Sequence, residues 1–555
     1  MVNFSEIIKN IFSYSETSPL LFTKFFYWAF FGVVLIGYTF LSDKRVSRSL
    51  YLMLVSLFFY YKSSGFFLIL LIFSTLVDFY IGKWIYNTEN PGKRKFLLFL
   101  SMFINLFLLS YFKYTYFFTS AINDLFGTKL VAYNYLADFS NLFLGTSFDT
   151  AKIFLPVGIS FFTFQTMSYT LDIYSKKLEP VKNILDFGFY VSFFPQLVAG
   201  PIVRASEFIP QIYKKFSLTR YEFGWALFMI LKGLIKKIMI GDYIAVNFVD
   251  RVFANPSMYT GFESMMAMIG YSLQVYVDFS GYTDMAIGVA LLMGFKLPKN
   301  FDSPYKARNC AEFWKRWHIS LSTWLKDYLY IPLGGNRTAT KGTWINFGLI
   351  ILIFILLAAN TLATISLIAF VIIIYLIYKF NDKARKGIVT NINTMITMLL
   401  GGLWHGSSWN FLIWGGLNGI GILVYKYWRK ISPWEQKNGR LATIWKIALT
   451  FSFITFTRVF FRAPDYPIAS TMLHRIWNNF HPELIPKIMS GYYKVWLIML
   501  FGFITHWLSY NFKDKWMEKF IALPHWQQAF ISAIVVFIVY QSICADMQPF
   551  IYFQF

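Results

Sequence analysis

The sequence predicts an all-α polytopic membrane protein, and three observations predict it. Of its 555 residues, 57% are hydrophobic and 14% charged, where soluble proteins average about 45–50% and about 25%. Apolar segments of bilayer-crossing length, about 20 residues, recur along most of the chain. Basic residues collect in short loops between them, as the positive-inside rule requires. The mean hydropathy of +0.49 lies outside the range of a water-soluble enzyme. A soluble Rossmann or barrel enzyme, a disordered chain and a disulfide scaffold are excluded. Cys310 and Cys544 form neither a C-x-x-C pair nor a metal spacing; packing is the ordinary role of such a lone cysteine. The net charge of +23 comes with no nucleic-acid motif and reads as a topology signal, with some basic residues available to lipid headgroups.

The elements follow in order. The N-terminus lacks a cleavable signal pattern. Candidate spans lie near 22–41, 47–61, 65–82, 96–118, 153–174, 184–203, 222–240, 263–295, 344–378, 388–426, 443–461, 491–509 and 527–545. The runs 263–295, 344–378 and 388–426 exceed one membrane crossing and are expected to break. Lys44, Arg45 and Arg48 form one basic loop, and Lys83, Lys93, Arg94 and Lys95 a second, separated by the Ser63-Ser64-Gly65 turn. The segment 121–150 carries Asp124, Asp138 and Asp149 against Lys129, and Lys176, Lys177 and Lys182 follow. Loop counting therefore places the N-terminus outside. From the other end, Lys426 to Arg440 and Lys513 to Lys519 are cytoplasmic, which puts the C-terminal residues outside as well. The stretch 296–341 is charged and aromatic together. On one helix, Trp314, Trp317, His318, Leu321, Trp324 and Tyr328 would share a face, the pattern of an amphipathic interfacial helix.

Polar groups at membrane depth are the clearest pointers to chemistry, because burying them in lipid is costly. From Gly387 to Tyr425 there is no Lys, Arg, Asp or Glu, and His405 sits near the middle. The surrounding Gly401-Gly402-Leu403-Trp404-His405-Gly406-Ser407-Ser408 can break a helix or let backbones approach. A hairpin with His405 near its turn is expected, where a neutral imidazole can act as general base on a hydroxyl. The alternative is a histidine hydrogen-bonded inside a bundle. His318 is the second candidate, weighed against an incidental place in an aromatic belt. His474, His481, His506 and His525 lie in or beside loops or near a helix end and are expected to be solvated. Asp278 and Asp284 serve either a site or a helix-packing network. No metal-ligand pattern is present, so no metal is assigned. No P-loop is present, which argues against an ATP-driven pump.

Four stretches carry a resemblance. They are Phe193 to Ile202 (FFPQLVAGPI), Trp314 to Arg337 (WKRWHISLSTWLKDYLYIPLGGNR), Met398 to Gly406 (MLLGGLWHG) and Arg458 to Ala463 (RVFFRA). In this order they resemble the membrane-bound O-acyltransferase (MBOAT) family, in its alginate O-acetyltransferase-like branch. The resemblance implies a helical crescent around a central funnel, within one integral membrane domain over 1–555. N-terminal helices would cover about 22–120, the family core about 150–463, and C-terminal helices about 491–545, before an aromatic tail at 546–555. The charge-free run Gly342 to Tyr378 has no counterpart in the family pattern. It would form an inserted hairpin over about 342–386, turning near Asn360-Thr361.

The resemblance also implies function. His405 matches the family's essential histidine and His318 the second histidine of this branch. Acetyl-CoA is the implied acyl-donor substrate, with no bound cofactor, meeting the funnel from the cytoplasm of a bacterial cell across its plasma (inner) membrane. The implied partners are an extracytoplasmic acetyltransferase or esterase-like protein and a polysaccharide acceptor. The ending Phe550 to Phe555 (FIYFQF) resembles the tails of related systems in which a tyrosine is proposed to carry the acyl group; here that is Tyr552, with an interfacial anchor as the alternative. His318 would position the donor or stabilise the oxyanion. Trp314, Trp317, Trp404, Asn336, Arg337, Asp278 and Gln274 are the candidate substrate-binding residues. The rival class is a transporter or flippase of a cell-envelope polysaccharide precursor. It predicts internal repeats, and the sequence carries none.

Overall fold

The structure, a computed structural model, describes residues 12–15, 19–146, 148–198, 200–358 and 361–542. Helices fill it, and the described residues contain no strand. The longer N-terminal helices are α1 (Phe25–Leu41), α2 (Arg45–Ser64), α3 (Leu68–Asn87), α4 (Pro91–Phe126) and α5 (Ile159–Tyr174). Gly65 ends α2 at φ +59, a conformation only glycine adopts freely; the ring of Tyr14 packs where a Cβ would stand. A polar seam joins α3, α4 and α5. The buried Asp78 carboxylate accepts from Ser101 Oγ at 2.7 Å and Asn105 Nδ2 at 2.8 Å, and Ser101 meets Thr170 at 3.0 Å.

The middle of the chain is the most enclosed part. Helix α6 (Arg220–Leu234) runs into a π-helical turn at Ile235–Asp242 and packs on α7 (Gly261–Leu292). The run 263–295 does not break. It forms the single helix α7, whose 32 residues extend about 48 Å at about 1.5 Å per residue. A capping box between Thr260 and Glu263 starts it. Its length exceeds the hydrocarbon thickness of about 30 Å, and its polar turns are paired rather than lipid-facing. Lys237 Nζ lies 2.7 Å from Asp242 Oδ1 and against Asp278 Oδ1. Lys236 meets Asp284 at 2.8 Å. The two aspartates left open by the sequence are thus held by lysines of the neighbouring π turn.

The expected single helix over 314–328 is not formed. The chain makes α8 (Cys310–Arg316), a left-handed step at His318 (φ +45), α9 (Ile319–Leu325) and a π turn at Lys326–Tyr330. Nor is this segment an interfacial belt. Trp324 is buried and stacks on Phe164 of α5 at 3.8 Å, with its Nε1 donating to Phe164 O at 2.9 Å. Tyr328 donates to Asp172 at 2.9 Å. The Trp-rich face packs into protein, not onto lipid.

The charge-free run after Arg337 divides into α10 (Lys341–Ala358) and α11 (Thr361–Phe380). Next come α12 (Asp382–His405), α13 (Trp409–Ile431) and α14 (Arg440–Arg462). Helices α12 and α13 form a close pair. A Cβ on Gly402 would overlap Phe411 O, and one on Gly415 would overlap Met398 O, so only glycine allows this approach. Among the described residues four stretches are long and apolar enough to cross a membrane: Arg45–Asn87, Pro91–Phe126, Asp382–His405 and Arg440–Arg462. The bent pair Pro482–Gly491 and Tyr493–Trp507, with an angle of 86° between them, adds a fifth candidate. The expected segment 184–203 is instead broken into short helices at Ile184–Ser192 and Phe194–Leu197; Pro195 cannot continue the ladder of the preceding helix. The last two helices of note are α15 (Tyr493–Trp507) and α16 (His525–Gln541).

Candidate active site

His405 is the last residue of α12 and is 2% exposed. Asn381 caps the start of that helix through Ala384 N at 3.0 Å. Gly406 turns to extended backbone, and α13 begins three residues later. Termination at His405 leaves carbonyls without helical donors. Helix α4 supplies them: Tyr114 Oη donates to Leu403 O at 2.7 Å, and Lys113 Nζ to Trp404 O at 2.7 Å and His405 O at 3.1 Å. Three rings fix the imidazole, with centroids of Trp404, Trp414 and Phe461 at 5.0, 5.1 and 5.3 Å.

His318 is fully buried and its ring centroid is 6.1 Å from that of His405. Asn309 and Glu312 set the preceding helix α8. Asn309 Oδ1 accepts from Glu312 N at 2.8 Å, and Glu312 takes Arg316 Nη2 at 2.9 Å. Burial raises the Glu312 carboxyl, but hydrogen bonds from Arg308 N and Arg316 outweigh it and hold the group below its usual range. After α8 the chain turns at His318 because Asn300, from the preceding irregular segment, caps α9 in place of a local side chain. Asn300 Oδ1 accepts from Ser320 N at 3.1 Å and Ser320 Oγ at 3.0 Å, and lies 3.3 Å from His318 Nδ1. A backbone N–H can only donate, so the shared atom is the amide oxygen. A proton on His318 Nδ1 suits this contact, because the oxygen facing it can only accept.

Two cavities meet His405. One, of about 60 Å³, is lined by Lys113, Ser160, Trp404 and His405 with the backbone turn from Leu155 to Ile159. The other, of about 10 Å³, is lined by Trp317, Trp414, Asn418, Arg458 and Phe461 with His405; it is about the size of one water. The second cavity is electropositive at its wall. Arg458 is buried, sits 4.3 Å over the Trp317 ring and donates to Ser272 O at 3.0 Å and to Tyr305 Oη. A guanidinium over an indole face is a favourable cation–π contact.

The structure gathers some sequence-predicted residues and separates others. His405, His318, Trp404 and Trp317 converge, and half-buried Trp314 stands 5.7 Å from Trp414. Asp278 lies in the lysine network of α7, with Gln274 half-buried one turn earlier. Asn336 and Arg337 are exposed and line neither cavity; their loop is docked on α12 through Asn393 Nδ2 to Gly335 O at 2.9 Å. Tyr552 and Cys544 lie outside the described residues. His506 is a correction: it is buried, edge-on to Tyr276 at 4.8 Å, because long-range aromatic packing encloses a helix end that looks solvated in sequence. His474, His481 and His525 are exposed. Sequence reasoning missed Lys113 and Asn300, and it included Arg458 in the fourth motif without assigning it a role. A lone lysine in an otherwise apolar span was the available signal for Lys113.

The model of the membrane-bound O-acyltransferase family matches residues 176–357 and 377–463. A peptidoglycan O-acetyltransferase of Helicobacter pylori is 33% identical over 497 residues, covering 84% of this chain and 81% of its own length. The chain belongs to the membrane-bound O-acyltransferase family. A second relative is the "Probable alginate O-acetylase AlgI" of Pseudomonas aeruginosa, 31% identical over 465 residues, with 83% of this chain and 75% of that protein aligned. The teichoic acid D-alanyltransferase of Bacillus subtilis is 28% identical over 308 residues, 54% of this chain and 67% of that protein. The break in the family match, between 357 and 377, falls within the α10–α11 hairpin.

Proposed function

We propose that this membrane O-acyltransferase passes an acetyl group from acetyl-CoA, held on the Arg458 side of His405, to a hydroxyl on the Lys113 side, for delivery to an envelope polysaccharide. One observation carries the reading: His405 lines both cavities, so one imidazole can meet donor and acceptor at once. The names of two relatives, a peptidoglycan and an alginate O-acetylating enzyme, favour acetyl over other acyl groups. Loop charge supports the direction. The Arg458 cavity lies on α13 and α14 between the level of His405 and the basic loop Lys426 to Arg440; the Lys113 cavity lies toward the 121–150 loop, which has few basic residues.

In this reading His405 takes the proton of the acceptor hydroxyl as its oxygen attacks the thioester carbonyl. The C–S bond breaks, and the leaving thiolate receives the proton from the imidazolium, giving an ester and free thiol. In the tautomer that donates Nδ1–H to Asn300 Oδ1, 3.3 Å away, His318 is oriented by that amide. In that tautomer Nε2 is an acceptor, which favours a positioning role for His318 over hydrogen bonding to an oxyanion. Removing Asn300 is expected to matter through this tautomer: Asn300→Ala should lower kcat about tenfold, a fraction of the general-base contribution, and kinetics in membranes at matched protein level check it. The acceptor is Tyr552 or a hydroxyl of an extracytoplasmic partner transferase. Tyr552→Phe removes one oxygen, and full polymer acetylation in that variant would end the carrier role.

The decisive experiment is transfer of labelled acetyl from acetyl-CoA by membranes holding the full chain. Label transferred in a His405-dependent manner supports the reading. Absence of both binding and turnover of acetyl-CoA, with accumulation of unflipped polymer precursor in cells lacking the protein, would favour the transporter class instead.

A further inference from the structure

Helix α12 stops inside the protein, immediately after presenting the buried His405. A helix end leaves orphan carbonyls, and buried carbonyls must find donors. Consecutive carbonyls of Leu403, Trp404 and His405 are all met by two adjacent side chains of α4. Tyr114 Oη donates to the first at 2.7 Å; Lys113 Nζ donates to the other two at 2.7 and 3.1 Å. The ammonium also reaches Ser160 Oγ at 3.4 Å and stands 5.9 Å over the Trp404 ring. Lys113 is buried within one of the longest apolar helices of the chain, where a charge is costly unless partnered. Its partner is the negative end of the α12 dipole, where a cation is favoured.

We infer that Lys113 and Tyr114 clamp the end of α12 and thereby position His405 between the two cavities, an inference that rests on His405 being the proton acceptor. The clamp takes the place of a local C-cap. It lets the helix break at a chosen residue without fraying, beside the cavity that Lys113, Ser160 and His405 line together. Lys113 donates to the main-chain carbonyls of His405, the residue that reacts, and of Trp404 just before it, so its loss displaces the base itself. A displacement of about 1 Å costs about 10²-fold in rate.

The test uses the full chain in lipid nanodiscs, with acetyl-CoA as the probe. Lys113→Met keeps the length and removes the donors. It should lower kcat about 10²-fold while KM for acetyl-CoA stays within about twofold, since uniform binding is untouched. Lys113→Arg, whose planar fork can span two carbonyls, should recover most of the loss. Tyr114→Phe should show a smaller fall of the same kind. Amide hydrogen exchange over residues 403–408 provides a readout independent of turnover and should quicken in Lys113→Met and return toward normal in Lys113→Arg. Unchanged exchange in Lys113→Met would overturn the clamp. Faster exchange with wild-type kcat would overturn the positioning role, and a loss confined to KM would assign Lys113 to substrate binding instead. A wild-type chain that cannot turn over acetyl-CoA would defeat the reading of the function, and the exchange data would still decide the clamp.

Discussion

Replacement of His405 by Ala is expected to abolish acetyl transfer while leaving the amount of membrane-inserted protein unchanged. General-base contributions run to about 10²–10⁴-fold, so residual transfer should fall below the detection of a polymer O-acetyl assay. The imidazole is enclosed by Trp404, Trp414 and Phe461, and its removal leaves a small hole without breaking the backbone contacts from α4. Stability should drop by no more than a core truncation ordinarily costs, about 2–5 kcal/mol, spread over a chain with many other contacts. His405→Gln keeps polarity and bulk without a basic nitrogen, so it separates chemistry from packing. Both variants should be inactive and His405→Gln the better folded. Acetylation retained in either, at normal protein level, would reject the assignment. His318→Gln should cost less than His405→Ala, because the pair of cavities meets at His405 alone.

Parts of this site are legible in the sequence and parts are not. His405 was legible because one titratable group stood in a charge-free run framed by glycines, and those glycines do permit the α12–α13 approach. The step at His318 was not. The 3.6-residue spacing of Trp314, Trp317, Leu321 and Trp324 is a local signal, whereas the break is imposed by Asn300, which reaches Ser320 from an irregular segment. Lys113 contacts residues about 290 positions later, a pairing that no window along the chain contains. His506 misled for the same reason, since Tyr276 and Tyr305 enclose it from distant segments. The α7 run defeated a length rule that treats excess length as a break, because its polar turns are paired by lysines within the protein and need no loop.

Those lysines support the second large effect. Lys237 is 2% exposed and faces Asp242 and Asp278, themselves 8% and 6% exposed at the side chain. Breaking such a buried set by removing one partner costs about 3–5 kcal/mol, because a charge is left uncompensated. Lys237→Met strands two carboxylates and should be the most damaging single change here, seen as a lower melting temperature in detergent and less protein in the membrane. Replacing all three together, Lys237→Met with Asp242→Asn and Asp278→Asn, should restore much of the loss, since a neutral, well-packed site avoids the desolvation of three charges. The turnover of the protein that does fold then distinguishes the two roles open to Asp278. Unchanged kcat and KM per folded molecule in Asp278→Asn would make it a packing residue of α7. A raised KM for acetyl-CoA would place it in the donor path, which α7 reaches at two places: the neighbouring Phe279 ring stands 4.7 Å from His318, and Val275, three residues before Asp278, lines the Arg458 cavity.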